Sequence, residues 1–402
     1  MARWKMENAQ RDVFQKCSEF DRLEKVRESG LYPYFVPLGG HVGAEMEIDG
    51  HSIIMLGSNN YLGLTDHPVI MERAKEAIDK YGTGCTGSRF LNGTLDLHIE
   101  LEDRLAKFLD KEMAITFSTG FQSNLGVIST IAGRDDLIYL DRMDHASIID
   151  GSRMSYARVL KYRHNDHDHL RYMLENNREH PAVIVTDGVF SMEGDLANIP
   201  GLVEVCREFG ARLIVDDAHG VGAMGPRGRG TAEHFGCHDD VDILVGTFSK
   251  SFACIGGFAA GPAEVMEYIK HTARTMIFSA SLPPAAVATV IAALDILEKE
   301  PELVAKSHCA AERARQGLAS LGFNVGNSEA PIVPIIVGDE VQTLVFWRKL
   351  FEAGVFTNPV ISPAVAYGGE MLRTSYMATH TESMIDRALE IFKKTGEELG
   401  II

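Results

Sequence analysis

The chain has 402 residues, and its 39 basic against 56 acidic side chains give a net charge of -17, so it lacks the basic face a nucleic-acid binder needs to neutralise phosphates. The length suits two or three domains, or one large α/β domain with appendages. A composition of 45% apolar and 24% charged residues with 38 glycines is that of an ordinary globular protein and excludes a long disordered tract, so function has to be read from motifs.

Residues 1–30 read as a charged helical arm with apolar positions at Trp4, Val13, Phe14, Phe20, Leu23 and Val26 and a stop at Gly30. Such an arm cannot bury its own stripe, so it is expected to pack on the body or on a second subunit. Residues 1–20 lack the apolar run of a signal peptide, and no stretch of about 18 apolar residues occurs; a soluble, cytoplasmic protein is expected. The six cysteines, Cys17, Cys85, Cys206, Cys237, Cys254 and Cys309, show no CxxC spacing and read as reduced thiols with no role in zinc binding.

From His51 onward short β-rich runs alternate with helical ones. SIIML at 52–56 is strand-like, and VIMERAKEAIDKY is an amphipathic helix ended by Gly82 as a left-handed cap. LIYLD (137–141), VIVTD (183–187), LIVDD (213–217) and DILVG (242–246) follow, separated by helix-length segments such as 201–209, the pattern of parallel strands with crossover helices. Ligands of open α/β sheets sit beyond the carboxyl ends of the strands, so Asp141, Asp187, Asp216 and Thr247 mark one candidate face. A helical stretch at 285–297 leads away from this block. Residues 300–402 then alternate a helix (302–321), strands (332–337 and 372–377) and a final helix (381–399).

Four motifs carry chemistry. Gly82, Gly84 and Gly87 satisfy the GxGxxG fingerprint, but they follow a helix instead of a strand, so the dinucleotide reading fails on context. His164, His167 and His169 have metal-like spacing, yet no Glu or Cys completes a set, and Asp166 or Asp168 can cap a helix at 169–177; a solvated loop is expected and no metal. STGFQSN at 118–124 is either a phosphate-holding helix N-terminus or an ordinary cap. VDDAHG (215–220) and TFSKS (247–251) each follow a strand, so Asp216 and Lys250 project onto one face. They read either as a buried structural ion pair or as a Schiff-base lysine with an aspartate under a pyridinium nitrogen, the arrangement pyridoxal 5'-phosphate requires.

SNNYLGL (58–64), YGTGCTGSRFLNGT (81–94), STGFQSN, DHASIIDG (144–151), DGVFSMEGD (187–195), VDDAHGVG (215–222), GTFSKS (246–251) and FSASLPP (278–284) occur in the order seen in the α-oxoamine synthases, a pyridoxal-phosphate family that condenses an amino acid with an acyl-CoA and loses carbon dioxide. The resemblance spans about residues 31–400. It implies a fold-type I α/β transferase: an arm (1–55), a large cofactor domain with a mostly parallel central sheet (56–290) and a smaller α+β C-terminal domain (291–402).

By the same resemblance, Lys250 forms the Schiff base and takes the Cα proton, Asp216 pairs with the pyridinium, His219 and Ser191 lie by the ring O3', and His145 stacks on the ring and helps hold the substrate carboxylate. Gly120 and Phe121 give backbone N–H groups to the phosphate, with hydroxyls from Thr247 and Ser249. Ser279 and Ser281 of the other subunit complete the phosphate site, which implies a homodimer with shared active sites. Arg373 is the fork for a substrate carboxylate, with Asn59 nearby.

TGSRFLNGT (86–94), HTARTMIFSASLPP (271–284), NPVISPAVAYGGEMLR (358–373) and SYMATHT (375–381) are most similar to the bacterial, soluble branch of the family. That branch joins L-serine to palmitoyl-CoA, giving a 3-keto long-chain base in the first step of sphingolipid synthesis. Branches using glycine with acetyl-CoA (2-amino-3-ketobutyrate CoA ligase) or alanine with pimeloyl-CoA (8-amino-7-oxononanoate synthase) are the alternatives. An aminotransferase and a cofactor-holding module without catalysis are the rivals from other classes. Phe121 departs from the tyrosine of many relatives, removing a hydroxyl but leaving backbone phosphate binding untouched. The arm's apolar residues could also give a weak peripheral membrane contact, though core or dimer packing is the expected use.

Overall fold

The computed structural model describes residues 12–48 and 50–402. In chain order the strands are β1 (Glu45–Ile48), β2 (His51–Met55), β3 (Met113–Phe117), β4 (Leu137–Asp141), β5 (Arg158–Tyr162), β6 (Ala182–Asp187), β7 (Arg212–Asp216), β8 (Ile243–Thr247), β9 (Gly257–Gly261), β10 (Ile332–Ile336), β11 (Val355–Phe356), β12 (Asn358–Val360) and β13 (Met371–Ser375). Among the described residues, seven of them form one sheet in the order β3-β9-β8-β7-β6-β4-β5. Strands β4 to β8 pair in parallel, as the apolar runs between helix-length segments predict, and β9 runs antiparallel between β3 and β8.

Helices cover both faces of this sheet. On one side Val127, Ile128, Ile148, Met266 and Ile269 pack on the strands, and on the other Leu101, Leu105, Leu202, Val205, Val287 and Leu294. The helix Pro284–Lys299 does not lead away as the sequence suggested. Its apolar side is nearly continuous, and Val287, Val290, Leu294 and Leu297 are buried in the larger core beside helices Pro68–Tyr81 and Asp96–Phe108. The helix Glu302–Leu321 runs over the expected residues. A second, smaller core joins it to the antiparallel sheet β10-β13-β12, and helix Glu382–Leu399 enters that core by packing beside the helices Glu302–Leu321 and Glu340–Glu352. Ile54 and Leu56 enter this core too, because β2 pairs in parallel with β11.

The arm departs from expectation. It forms two short helices, Gln15–Ser18 and Arg22–Glu28, with Gly30 at positive φ beyond the second. Val13 and Phe14 are each 72% exposed and Phe20 is 58% exposed, so the stripe does not pack on this chain's own body. Trp4 and the Leu23 side chain lie outside the described residues. Among the described residues, no helix is long and apolar enough to cross a membrane, and no group of three or more His, Cys, Asp and Glu could hold a metal.

Candidate active site

The carboxyl ends of β4, β6, β7 and β8 lie side by side, and a cavity of about 360 Å³ opens beyond them. Ten residues named from sequence line it together: Gly120, Phe121, His145, Asp187, Ser191, Asp216, His219, Thr247, Ser249 and Lys250.

At one end the wall is backbone. Thr119 caps the helix Gly120–Ile131, its hydroxyl accepting from the Gln122 N–H at 3.1 Å. The first N–H groups of an α-helix have no intrahelical acceptor and sit at its positive end, so Gly120 and Phe121 face the cavity with donors to spare. The approach is close: a Cβ on Gly120 would lie 2.7 Å from the Thr247 Cβ, and one on Gly257 would lie 2.6 Å from the Gly120 Cα. The Thr247 hydroxyl lies 2.9 Å from both the Ser249 hydroxyl and the Gly256 carbonyl, to which it donates. This narrow, donor-lined cradle fits a phosphate.

At the other end the wall is side-chain charge. Asp216, at the end of β7, accepts from the Asn124 amide at 2.5 Å through Oδ2 and from the Ala218 N–H at 3.0 Å through Oδ1. Burial lowers the Lys250 pKa to about 8 against the opposing pull of Asp216 and Asp187, so a neutral amine is accessible near physiological pH. His219 is buried, and its Nδ1 lies 2.7 Å from the Tyr61 hydroxyl. Burial, with Lys250 and Arg373, holds its pKa well below the usual imidazole range.

His145 is exposed to the open cavity, and desolvation of its ring by the surrounding protein lowers its pKa against the pull of Asp216. Its Nδ1 accepts from the Ser147 N–H at 3.2 Å, which leaves the proton of the neutral ring on Nε2. The His145 N–H donates to Asp187 at 2.7 Å, and the Asp187 N–H donates to Asp144 at 3.0 Å. Burial first, and then neighbouring carboxylates, raise both of these acids well above the carboxylate range. A lysine with a depressed pKa, a fixed carboxylate and neutral imidazoles beside a phosphate cradle fit pyridoxal phosphate.

Arg373, on β13, stands at the edge of this cavity instead of in its wall. Its Nη1 donates to Asn59 at 3.0 Å and to Ser375 at 2.8 Å, and its Nε donates to the carbonyl of Ser191, which does line the cavity. Nη2 is buried without a hydrogen-bond partner among the described residues, a free donor suited to a carboxylate. Ser279 and Ser281 line a separate crevice, with Ser281 donating to the Gly87 carbonyl and Ser279 accepting from Gln122. They do not reach this chain's own cavity wall.

Asn124, Tyr61, Ser147 and Asp144 support the site and were not singled out from sequence. All four had one available signal, their place inside the 58–64, 118–124 and 144–151 motifs. The GxGxxG glycines behave as a helix stop: Gly82 ends Pro68–Tyr81 at φ 79° but with ψ -166°, extended instead of left-handed helical, and the next helix begins only at Asp96.

The histidine segment is not the solvated loop expected. Asp166 caps the helix His167–Glu175, accepting from the His169 N–H at 2.8 Å, while His164 is paired with two carboxylates.

The model of the family "Aminotransferase class I and II" matches residues 51–392. The chain is 51% identical to the serine palmitoyltransferase of Sphingobacterium spiritivorum over 96% of its own length and 98% of that protein's. It is 43% identical to the 8-amino-7-oxononanoate synthase of Geotalea daltonii, over 95% and 98% respectively. A solved structure of SPT with PLP internal aldimine superimposes with a TM-score of 0.95 at 36% identity, covering 98% of this chain and 100% of that one. With that similarity along nearly its whole length, the chain belongs to the aminotransferase class I and II family and, within it, to the pyridoxal-phosphate-dependent α-oxoamine synthases.

Proposed function

We propose that the chain condenses L-serine with a long-chain acyl-CoA, palmitoyl-CoA by preference, releasing carbon dioxide and coenzyme A and yielding a 3-keto long-chain base. The substrates follow from the near-full-length similarity to proteins named serine palmitoyltransferase. One observation carries the chemistry: Lys250, with its pKa depressed to about 8, shares a cavity with Asp216, His145 and His219.

Lys250, Asp216, His219, His145 and Ser191 would hold the ring, and Gly120, Phe121, Thr247 and Ser249 the phosphate. When bound, pyridoxal phosphate supplies the electron sink for cleaving the Cα–H and Cα–carboxylate bonds. Lys250 in its neutral form accepts the Cα proton, and as the ammonium it returns one after decarboxylation. Arg373 takes the substrate carboxylate on its free Nη2. Its other donors are already spent on Ser191, Asn59 and Ser375, which fix the plane of the fork. The His145 Nε2–H is free to donate toward the same substrate.

The assembly is a homodimer in the cytoplasm. Phe90, Leu91, Ile255 and Phe278 are 51%, 77%, 55% and 78% exposed, and Ile255 lines the cavity, so a second copy is expected to cover them and to bring Ser279 and Ser281 to the phosphate. The exposed Val13, Phe14 and Phe20 would be covered by the same partner or rest on a membrane that supplies the acyl chain.

The test is a titration of the cofactor-loaded protein with serine, glycine and alanine followed by absorbance, then coenzyme A release with palmitoyl-, acetyl- and pimeloyl-CoA. A saturable serine signal with thiol release only from the long chain supports the reading. Alanine with pimeloyl-CoA, or glycine with acetyl-CoA, replaces it with the corresponding relative's activity.

A further inference from the structure

His164 follows β5 and lies outside the cavity wall, yet both of its ring nitrogens are committed. Nδ1 lies 3.0 Å from Asp141 Oδ1 and Nε2 lies 2.8 Å from Asp195 Oδ2. Phe190 meets the ring edge-on at 4.4 Å between centroids. Carboxylates only accept, so a ring bonded to two of them carries both protons and is an imidazolium. Burial opposes that charge, but the two carboxylates prevail and raise the pKa to about 10.

The two carboxylates belong to different parts of the site. Asp141 ends β4, and its chain continues through Asp144 to His145. Asp195 closes the turn after β6: its carbonyl accepts from the Phe190 N–H at 3.0 Å and the Gly194 N–H donates to Phe190 at 2.8 Å. That turn carries Ser191, whose carbonyl accepts from Arg373 Nε. On its far side the Gly194 carbonyl accepts from the Glu329 and Ala330 N–H groups at 3.1 and 3.2 Å. His164 thus ties the Asp195 side of the turn back to the large sheet through charge, beside Asn165, whose amide donates to the Leu196 carbonyl at 3.0 Å, while the C-terminal segment holds the turn from the other direction.

We propose that the His164 imidazolium is a positioning residue for substrate recognition: by clamping Asp141 to Asp195 it sets the Ser191 turn and through it the orientation of the Arg373 guanidinium. The inference rests on the reading of Arg373 as the carboxylate fork. His164 touches neither the cavity nor Lys250, so its loss acts on amino-acid binding before it acts on cofactor binding or proton transfer.

The experiment compares wild type, His164→Gln, Asp195→Asn and the double variant. Whichever of serine, glycine and alanine the wild type binds is titrated by absorbance, so failure of the serine reading leaves this test standing. Expected is an amino-acid dissociation constant raised about tenfold or more in each single variant, the scale of losing a charge-assisted hydrogen bond. Cofactor affinity should fall by less than about threefold, since Ser191 is one of five groups assigned to the ring, kcat should stay within about threefold, and the double variant should be no worse than His164→Gln, because both changes cut one link. In the cofactor-free protein the Phe190 and Gly194 amides should exchange with deuterium faster. Unchanged amino-acid affinity overturns the proposal, and so does a parallel loss of cofactor affinity, kcat and binding. If His164→Gln does not fold, Asp195→Asn alone decides by the same criteria.

Discussion

The two ends of the cavity are built from different materials. The phosphate end consists of helix-terminal N–H groups, two hydroxyls and glycines packed to contact, whereas the ring end consists of Lys250, Asp216, His145 and His219, whose protonation states are set by burial and by one another. The first tolerates no added volume and the second no altered charge. A single chain therefore binds one molecule by two kinds of complementarity that fail in different ways.

Charge changes at the ring end should have the largest effects. Lys250→Ala removes the group proposed to move the Cα proton, and turnover should fall about a thousandfold or more, measured as coenzyme A release, with the fold retained by circular dichroism. Asp216→Asn keeps the shape and the contact with Ala218 but places an amide opposite the Asn124 amide. It should cost about a hundredfold in kcat with a smaller loss of cofactor affinity.

Lys250, half-buried with its amine desolvated, also predicts a pH dependence that the phosphate end lacks. Its folded pKa of about 8 lies below the unfolded value of 10.5, so between these values the unfolded chain binds more protons and stability rises with pH. Below pH 8 the penalty for the desolvated ammonium is fully present. Urea unfolding of the cofactor-free protein should therefore show stability gained from pH 7.5 to 10 relative to Lys250→Met, on the order of 3 kcal/mol at most. The difference between the two proteins cancels the opposing trend expected of the half-buried thiols of Cys206 and Cys254, whose pKa values are raised by desolvation to about 12 and 11.

The two ends also differ in how far the sequence reveals them. Lys250, Asp216 and Asp187 stand at or just after apolar strands, and strand ends of a parallel sheet share one edge, so their meeting could be read from order alone. Strand β9 could not: GFAAG has little β-propensity, and its place comes from pairing with β3 and β8 around the buried Phe258. Arg373 and Asn59 meet 314 positions apart, and that contact depends on β13 lying beside the segment after β2, where the Ser375 N–H donates to the Leu56 carbonyl. The family resemblance brought them together before any periodicity could. Three histidines in a polar stretch have the pattern of a solvated loop, and only the packed turn after β6 discloses the two carboxylate partners of His164.

The smallest predicted effects set neighbours at the phosphate end against each other. Gly120→Ala places a methyl carbon 2.7 Å from the Thr247 Cβ, and the neighbour is backbone-anchored on β8, so it cannot swing away. The change should cost about 1–3 kcal/mol of stability, seen as a lower Tm, and should weaken cofactor binding measured by fluorescence titration. Phe121→Tyr, one residue on, restores the hydroxyl many relatives carry, yet it should change cofactor affinity and kcat by less than about twofold. The Phe121 contribution is its N–H, supplied equally by tyrosine. Its ring is 42% exposed, so the added hydroxyl has room and adds no buried polar group in want of a partner. A large gain in cofactor affinity from Phe121→Tyr would mean that the side chain, and not only the helix terminus, holds the phosphate, and the division between a backbone end and a side-chain end would have to be redrawn.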